Sequence, residues 1–262
     1  APGLVGAGWY TLQPVGATAG AALGWAAIDA GIGCAMSYPG SPSAATLRCL
    51  FSQRAQMRPA PAPHLEWSTN ERVALEVAVG FSLAGRRALV CTKSVGMNVM
   101  VDTLMTVNLT PLPAGLVILL GDDPGAYGSQ NDQDSRMLAA LLELPMLEPR
   151  DARQGVELMG AAFAASEESG LPVVLRITRS YEQLPAPAEL APPGQWNVPV
   201  SDPLRERLRY FPYPGNAVEK HRDLHRRLAL AGAWSDSPSL NPTVADAGSE
   251  PLGVIAVGVC AT

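Results

Sequence analysis

The chain has 262 residues, of which 47% are hydrophobic and only 16% charged, and its formal net charge is -5 at pH 7. A chain of this size and composition can bury a full globular core. The negative charge argues against a nucleic-acid partner, and no uninterrupted apolar stretch is long enough to cross a bilayer, so we expect neither nucleic acid nor membrane as a partner.

Between about residues 12 and 178, helical periodicity alternates with short apolar runs. This pattern predicts an α/β fold, a three-layer parallel sheet with helices on both faces. The predicted strands are Cys34–Tyr38, His64–Trp67, Ala88–Thr92, Leu116–Leu120, Met146–Glu148 and Val173–Thr178. The predicted helices are Ala17–Ala30, Pro42–Ser52, Glu71–Ala84, Asn98–Val107, Ser135–Leu144 and Ala152–Ser169.

Beyond Tyr181 the chain is rich in proline, which is typical of a linker. We predict an α/β domain over residues 1–182 and a linker with a short helix near 216–231 over residues 183–250. Residues 251–262 would begin a further α/β domain with a strand at 253–258. Arginines late in the chain are interleaved with acidic residues, and this mixture of charges indicates a solvated helix face. Because the chain lacks an initial Met and the last strand is cut short, we interpret it as a fragment.

Four cysteines are scattered along the chain without a Cys-x-x-Cys pair. This spacing predicts neither a zinc ribbon nor an iron–sulfur cluster in this chain, and we expect buried free thiols at Cys34, Cys49, Cys91 and Cys260. Nothing at the beginning of the chain resembles a signal peptide. The cytoplasm is therefore the expected location.

Ligands of parallel α/β sheets bind beyond the carboxyl ends of the strands, so the segments that follow the strands are candidate sites. One such segment contains Asn70 and Glu71. Asn is a good N-cap and Glu suits a first helical turn, so both residues have a purely structural interpretation. The alternative is that Glu71 faces a cleft and hydrogen-bonds a ring nitrogen of a heteroaromatic ligand.

The other segments leave similar alternatives open. The run from Tyr38 through Pro39 to Ser43 suits a strand-to-helix turn with Ser41 as the cap, or a site for a substrate carboxylate. Lys93 can extend into water or attract an anion. Adjacent Asp122 and Asp123 could suit magnesium, but their sequence context favours a turn, so we assign no metal ligand.

Taken together, several motifs resemble one known family. They are YPGSPS at residues 38–43, EWSTNERVALEVA at 66–78, LAGRRAL at 83–89, DDPG at 122–125, SQNDQDSR at 129–136 and RYFPYPGNA at 209–217. The chain resembles the alpha subunits of indolepyruvate ferredoxin oxidoreductases, within the pyruvate:ferredoxin oxidoreductase superfamily. The resemblance implies a domain that binds the aminopyrimidine end of thiamine diphosphate, and it covers nearly the whole chain.

The resemblance also implies roles for single residues. Glu71 would be catalytic, because it would hydrogen-bond the aminopyrimidine and favour the tautomer that deprotonates the cofactor's thiazolium carbon. Further cofactor contacts would come from Tyr38, Pro39, Gly96 and Asn98. The residues expected near the substrate are Ser41, Lys93, Ser94 and Asn131.

The remaining parts of such an enzyme would lie elsewhere. The resemblance implies oxidative decarboxylation of a 2-oxoacid to an acyl-coenzyme A, with electrons passed to ferredoxin. Thiamine diphosphate would be shared with a partner diphosphate-binding domain, and Mg²⁺ and 4Fe-4S clusters would lie outside this chain. A smaller subunit and an oligomeric assembly are also expected.

Two positions depart from the family pattern. Ser94 stands where indolepyruvate enzymes commonly have His, and Gly-Ala-Thr-Ala at residues 16–19 stands where Gly-Asn-Glu-Ala is expected. The first departure keeps open a different 2-oxoacid, aliphatic or aryl. A second alternative is a non-catalytic assembly subunit that retains the fold.

Overall fold

The computed structural model describes residues 18–53, 62–187, 207–238, 240–242 and 255–261. Within these residues, six parallel strands form one sheet in the order β2-β1-β3-β4-β6-β5. The predicted α/β fold is thereby confirmed. The strands are β1 (Cys34–Ser37), β2 (His64–Trp67), β3 (Ala88–Lys93), β4 (Leu116–Asp122), β5 (Met146–Leu147) and β6 (Val173–Thr178).

The helix starts predicted at Glu71, Ser135 and Ala152 are observed. The helices of the described residues are α1 (Ala19–Asp29), α2 (Ala44–Gln53), α3 (Glu71–Leu83), α4 (Ser94–Val99), α5 (Val101–Val107), α6 (Ser135–Leu141), α7 (Ala152–Ser169), α8 (Arg179–Glu182), α9 (Arg207–Tyr210) and α10 (Ala217–Ser235). The single helix predicted over Asn98–Val107 is wrong, because two helices meet at Met100. The predicted linker helix is also longer than expected, since α10 has 19 residues.

Two hydrophobic cores cover the two faces of the sheet. The first packs α1, α2 and α7 against one face, with Leu89 and Cys91 from β3. The second packs α3, α4, α5 and α6 against the other face, with Val90 from the same strand. Alternate residues of a strand point to opposite faces, so β3 contributes to both cores. This arrangement is the three-layer architecture that the continuous apolar strands predict.

Helix α10 packs against the sheet domain near α7. The expectation of a solvated face is partly wrong, because Lys220 and Arg227 are buried. Arg227 donates to the carbonyl oxygens of Asn108 and Gly170 at 2.7 and 3.1 Å. A buried cation of this kind is tolerated where carbonyl oxygens accept the hydrogen bonds that it donates. No helix among the described residues is long and apolar enough to cross a membrane.

Two other expectations fail near the end of the chain. Of the strand predicted at 253–258, the first two residues lie outside the described residues. Residues 255–257 are irregular, and a 3-10 turn follows at Gly258–Ala261. A strand needs a neighbour to accept its hydrogen bonds, and none of the six strands pairs with this segment. Cys260 is exposed and Cys49 half-buried, whereas Cys34 and Cys91 are buried as predicted.

Candidate functional site

The candidate segments meet at the carboxyl ends of neighbouring strands. The chain leaves β1 for β2 on one side, and later returns to add β3 on the other side of β1. This reversal of strand order opens a crevice between β1 and β3, which is where parallel α/β sheets bind ligands. The segment after β1 begins with Tyr38, and the segment after β3 begins with Ser94.

Glu71 is fixed at the first position of α3. The Asn70 side chain caps this helix by accepting a hydrogen bond from the Val73 backbone N–H at 2.9 Å. The structural interpretation of the pair is therefore correct for Asn70. Among the described residues, no group hydrogen-bonds the Glu71 carboxylate, which is half-buried. A carboxylate without a partner among these residues is available to a ligand.

Gly96 lies directly against this carboxylate. A side chain at Gly96 would place its Cβ 2.6 Å from Glu71 Oε1, and it would also meet the Thr92 hydroxyl. Gly96 is buried in α4, so no larger residue fits without moving Glu71. The sequence motifs predicted Glu71 and Gly96 as site residues but gave no role to Thr92. The only indication of Thr92 in the sequence is that a polar residue stands near the end of an apolar strand.

Lys93 is held in place by the segments on both sides of it. Its Nζ donates to the Gly128 carbonyl oxygen at 2.9 Å. The loop that supplies this carbonyl is folded by Asp123, whose Oδ2 accepts from Gly128 N at 2.7 Å and from Ser129 Oγ at 3.0 Å. On the other side, a Cβ at Gly40 would lie 3.1 Å from Lys93 Cδ. Lys93 thus joins the segments after β1 and β4.

Ser94 and Asn98 are connected through Gln133, for which the sequence motifs indicated no role. The amides of Asn98 and Gln133 exchange hydrogen bonds at 2.8 and 2.9 Å. Gln133 Nε2 also lies 3.3 Å from the Ser94 carbonyl oxygen, which accepts from it. The Ser94 side chain is buried and Asn98 is exposed. Gln133 therefore ties the segment after β4 to helix α4.

The remaining predicted site residues are exposed. They are Tyr38, Pro39, Ser41 and Asn131. Ser41 is not a helix cap, because α2 begins only at Ala44, whose backbone N–H donates to the Gly40 carbonyl at 3.0 Å. The Ser41–Pro42 peptide bond is cis, and the turn packs on β4, where a Cβ at Gly121 would lie 2.8 Å from Pro42 Cδ. No hydrogen bond between described residues joins Asn131 to the group.

The turn predicted after β4 is confirmed. Gly125 adopts φ +83°, and Ala126 N donates to the Asp123 carbonyl at 2.9 Å. The Asp122 carboxylate is buried, and its Oδ2 accepts from Arg176 Nε at 2.7 Å, so it is paired with a cation of β6. Farther along the segment, hydrogen bonding to Arg136 lowers the pKa of Asp134 to about 2.

The chemistry of this edge fits the pyrimidine end of thiamine diphosphate. A heteroaromatic ring with a basic nitrogen needs a carboxyl partner and a surface without bulky side chains beside it. The Glu71 carboxylate supplies the first feature, and the buried Gly96 leaves space for that carboxylate, since a Cβ there would lie 2.6 Å from Glu71 Oε1. At the same edge, Asp122 pairs with Arg176 and Asp123 folds its own loop, each through Oδ2, while Oδ1 of each is buried without a hydrogen-bond partner among the described residues.

Comparisons with known proteins agree with this fit. Residues 25–186 match the family model described as pyruvate flavodoxin/ferredoxin oxidoreductase, thiamine diphosphate-binding. The chain is 37% identical over 236 residues to indolepyruvate oxidoreductase subunit IorA of Methanothermobacter thermautotrophicus, an alignment that covers 89% of this chain and 37% of that protein. The Archaeoglobus fulgidus protein of the same name is 32% identical, with 91% of this chain and 38% of that protein covered. The chain thus spans less than two fifths of the length of these relatives.

Solved structures share the fold. The 2-oxoglutarate:ferredoxin oxidoreductase of Magnetococcus marinus superimposes with a TM-score of 0.59 at 14% identity, covering 84% of this chain and 44% of that one. A thiamine diphosphate-dependent 4-hydroxybenzoylformate decarboxylase of Rhodococcus jostii RHA1 gives 0.52 at 20% identity, covering 65% and 32%. The resemblance seen in the motifs is confirmed by the family match. The chain belongs to the thiamine-diphosphate-binding family of pyruvate flavodoxin/ferredoxin oxidoreductases.

Proposed function

We propose that this chain supplies the pyrimidine-binding half of the cofactor site in a thiamine-diphosphate-dependent 2-oxoacid:ferredoxin oxidoreductase. The observation that carries the proposal is the Glu71 carboxylate, which is fixed at a helix start beside Gly96 and has no hydrogen-bond partner among the described residues. Family membership supports the choice of cofactor.

Glu71 acts on one proton. Its carboxyl group hydrogen-bonds the ring nitrogen of the aminopyrimidine and stabilises the protonation state that the reaction needs. Partial burial strengthens this hydrogen bond, because fewer waters compete for the carboxylate. When bound, thiamine diphosphate supplies the carbanion-stabilising chemistry that decarboxylation of a 2-oxoacid requires.

The other residues position the reactants. Gly96 leaves room for the Glu71 carboxylate itself, and Tyr38, Pro39 and Asn98 line the cofactor's side of the crevice. Lys93 attracts the substrate carboxylate by its charge, and Ser41 offers it a hydroxyl group. Asn131 belongs to the exposed segment that closes over the same edge. Because the Ser94 side chain is buried, its influence on the substrate passes through the position of Lys93 and α4.

The complete reaction needs parts beyond these residues. We propose a partner diphosphate-binding domain that holds Mg²⁺, 4Fe-4S clusters outside this chain, and a smaller subunit in an oligomeric assembly. The substrate is a 2-oxoacid such as indolepyruvate, as the names of the relatives suggest. Coenzyme A receives the acyl group and ferredoxin receives the electrons, the two roles that the superfamily resemblance implies.

The test is Glu71→Gln in the complete enzyme, assayed for decarboxylation of a panel of 2-oxoacids. We expect activity to fall by about 10²- to 10⁴-fold, the range that proton-transfer groups contribute, while the fold is unchanged. Glu76→Gln is the control, because Glu76 lies on the same helix in an exposed pair with Arg72. Near-normal decarboxylation by the Glu71 variant would overturn the proposal.

A further inference from the structure

A second group of ligand-type side chains lies where α10 meets the end of α6. His221 and His225 are four residues apart on α10, so one helical turn separates them and they share a face. Glu143 follows α6 and faces both imidazoles. None of these residues takes part in the cofactor site proposed above.

The three side chains converge on a small volume. His225 Nε2 lies 2.8 Å from Glu143 Oε1, and His221 Nε2 lies 3.7 Å from Glu143 Oε2. The two imidazole rings meet edge to face with their centroids 4.6 Å apart. One ligand atom from each of the three residues lies within 4.8 Å of the others. No other set of three such side chains converges like this in the part of the chain that the structure describes.

The backbone that carries these side chains is already fixed. Glu143 adopts φ 53°, a left-handed conformation that a non-glycine residue takes only where its surroundings hold it. The preceding residue is anchored, because Asn108 Nδ2 donates to the Leu142 carbonyl at 2.8 Å. On α10, the buried Arg227 donates to the Asn108 and Gly170 carbonyls, which holds the helix against the domain. A ligand that binds here would therefore meet side chains whose backbone positions are already set.

We propose that Glu143, His221 and His225 form a binding site for a divalent transition metal of the zinc class. Two imidazole nitrogens and one carboxylate oxygen are the ligand types that this class prefers, and a fourth position remains open to water because all three side chains are solvent-accessible. The metal replaces the hydrogen bond between His225 and Glu143. Its consequence is structural, since it fastens α10 to the sheet domain.

The third histidine of the chain provides a matched control. His64 Nε2 lies 3.0 Å from Glu66 Oε2, so it has the same kind of exposed carboxylate partner as His225. No second imidazole joins this pair among the described residues. A two-ligand site of this kind binds metal far more weakly than a three-ligand site, so His64 separates true coordination from ordinary surface histidine binding.

The experiment titrates the intact protein with Co²⁺, whose visible absorption reports coordination, and then with Zn²⁺ as competitor. Wild type and His64→Ala should develop the same absorption, which Zn²⁺ removes. His221→Ala and His225→Ala should each weaken binding at least about tenfold. Binding should also weaken at lower pH, because the metal and protons compete for the imidazoles. Using differences between variants removes the contribution of any other metal site in the preparation.

A second measurement tests the structural consequence. Hydrogen exchange of the α10 amides should slow when Zn²⁺ is added to wild type or His64→Ala, and should not change in His221→Ala or His225→Ala. The proposal is overturned if all four proteins bind Co²⁺ equally, or if none of them develops the absorption. Loss of binding in His64→Ala that equals the loss in the α10 variants would also overturn it.

Discussion

The two ends of the sheet differ in the hydrogen bonds that their glutamate carboxylates receive. At the amino ends of β3 and β4, the Glu167 carboxylate accepts from Arg87 at 2.8 and 2.9 Å and from the Gly115 backbone N–H at 3.0 Å. At the carboxyl ends, the Glu71 carboxylate receives no hydrogen bond from any described residue. The Glu167 carboxylate thus finds its hydrogen-bond donors within the chain, whereas the Glu71 carboxylate finds none among the described residues.

This difference indicates which charges hold the fold and which serve a ligand. A buried charge costs free energy unless it is paired, so the Arg87–Glu167 pair must form for the domain to fold well. The half-buried Glu71 carboxylate contributes to the fold mainly by its favourable position in the first turn of α3. It is maintained at small cost only because water reaches it, and it becomes valuable when a ligand supplies the missing donor.

The largest effect on stability is expected from breaking the satisfied end. Glu167→Ala removes the carboxylate that pairs with the buried Arg87 guanidinium, which should lower the free energy of unfolding by about 3–5 kcal/mol. Native-state hydrogen exchange of β3 and β4 amides measures this in the intact protein. Glu168→Ala is the control, because its exposed contact with Trp234 should cost at most about 1 kcal/mol. Equal losses in both variants would contradict the comparison.

A smaller effect is expected from crowding the unsatisfied end. Gly96→Ala places a methyl group against the Glu71 carboxylate and should cost about 1–3 kcal/mol, expressed mainly as weaker thiamine-diphosphate binding. Gly80→Ala is the same substitution on α3, where a Cβ meets nothing within 4 Å, and it should leave binding unchanged. Calorimetric titration compares the two. Unchanged affinity in Gly96→Ala would show that Glu71 is not confined as described.

The smallest effect concerns the reactivity of the thiols that are buried in the sheet. Burial raises the pKa of the Cys34 and Cys91 thiols to about 12, so both stay neutral, and alkylation requires the thiolate. At about pH 9, iodoacetamide should therefore leave Cys34 and Cys91 unlabelled while it labels the exposed Cys260. Peptide mass mapping assigns each adduct. Rapid labelling of Cys91 would indicate that the sheet interior opens readily.

Local signals predicted much of this structure. The Asn70 cap fixed the start of α3, and the apolar run of β6 was predicted with its observed bounds. The turn after β4 was also predicted, because the residues that form it act on their immediate neighbours. These features depend on contacts within a few residues, which is the range that a sequence pattern reports.

Contacts between distant residues were not predictable in the same way. The burial of Arg227 depends on a carbonyl 119 residues away, and the role of Gln133 depends on Asn98, 35 residues earlier. The motifs indicated which residues to combine at the site, but only the fold brings Gly96 against Glu71. Ser41 is a residue type that often caps helices, but it does not lie at the cap position of α2. The predicted start of α2, at Pro42, was therefore too early.

The most direct test of the account is calorimetric titration of thiamine diphosphate with Mg²⁺ into the complete enzyme, comparing wild type, Glu71→Ala and Glu76→Ala. Both substitutions remove a carboxylate from α3, but only Glu71 lies beside Gly96 at the carboxyl end of the sheet. The account predicts sharply weaker binding in Glu71→Ala and wild-type binding in Glu76→Ala. Equal binding in all three proteins, or no binding by the wild-type assembly, would contradict it.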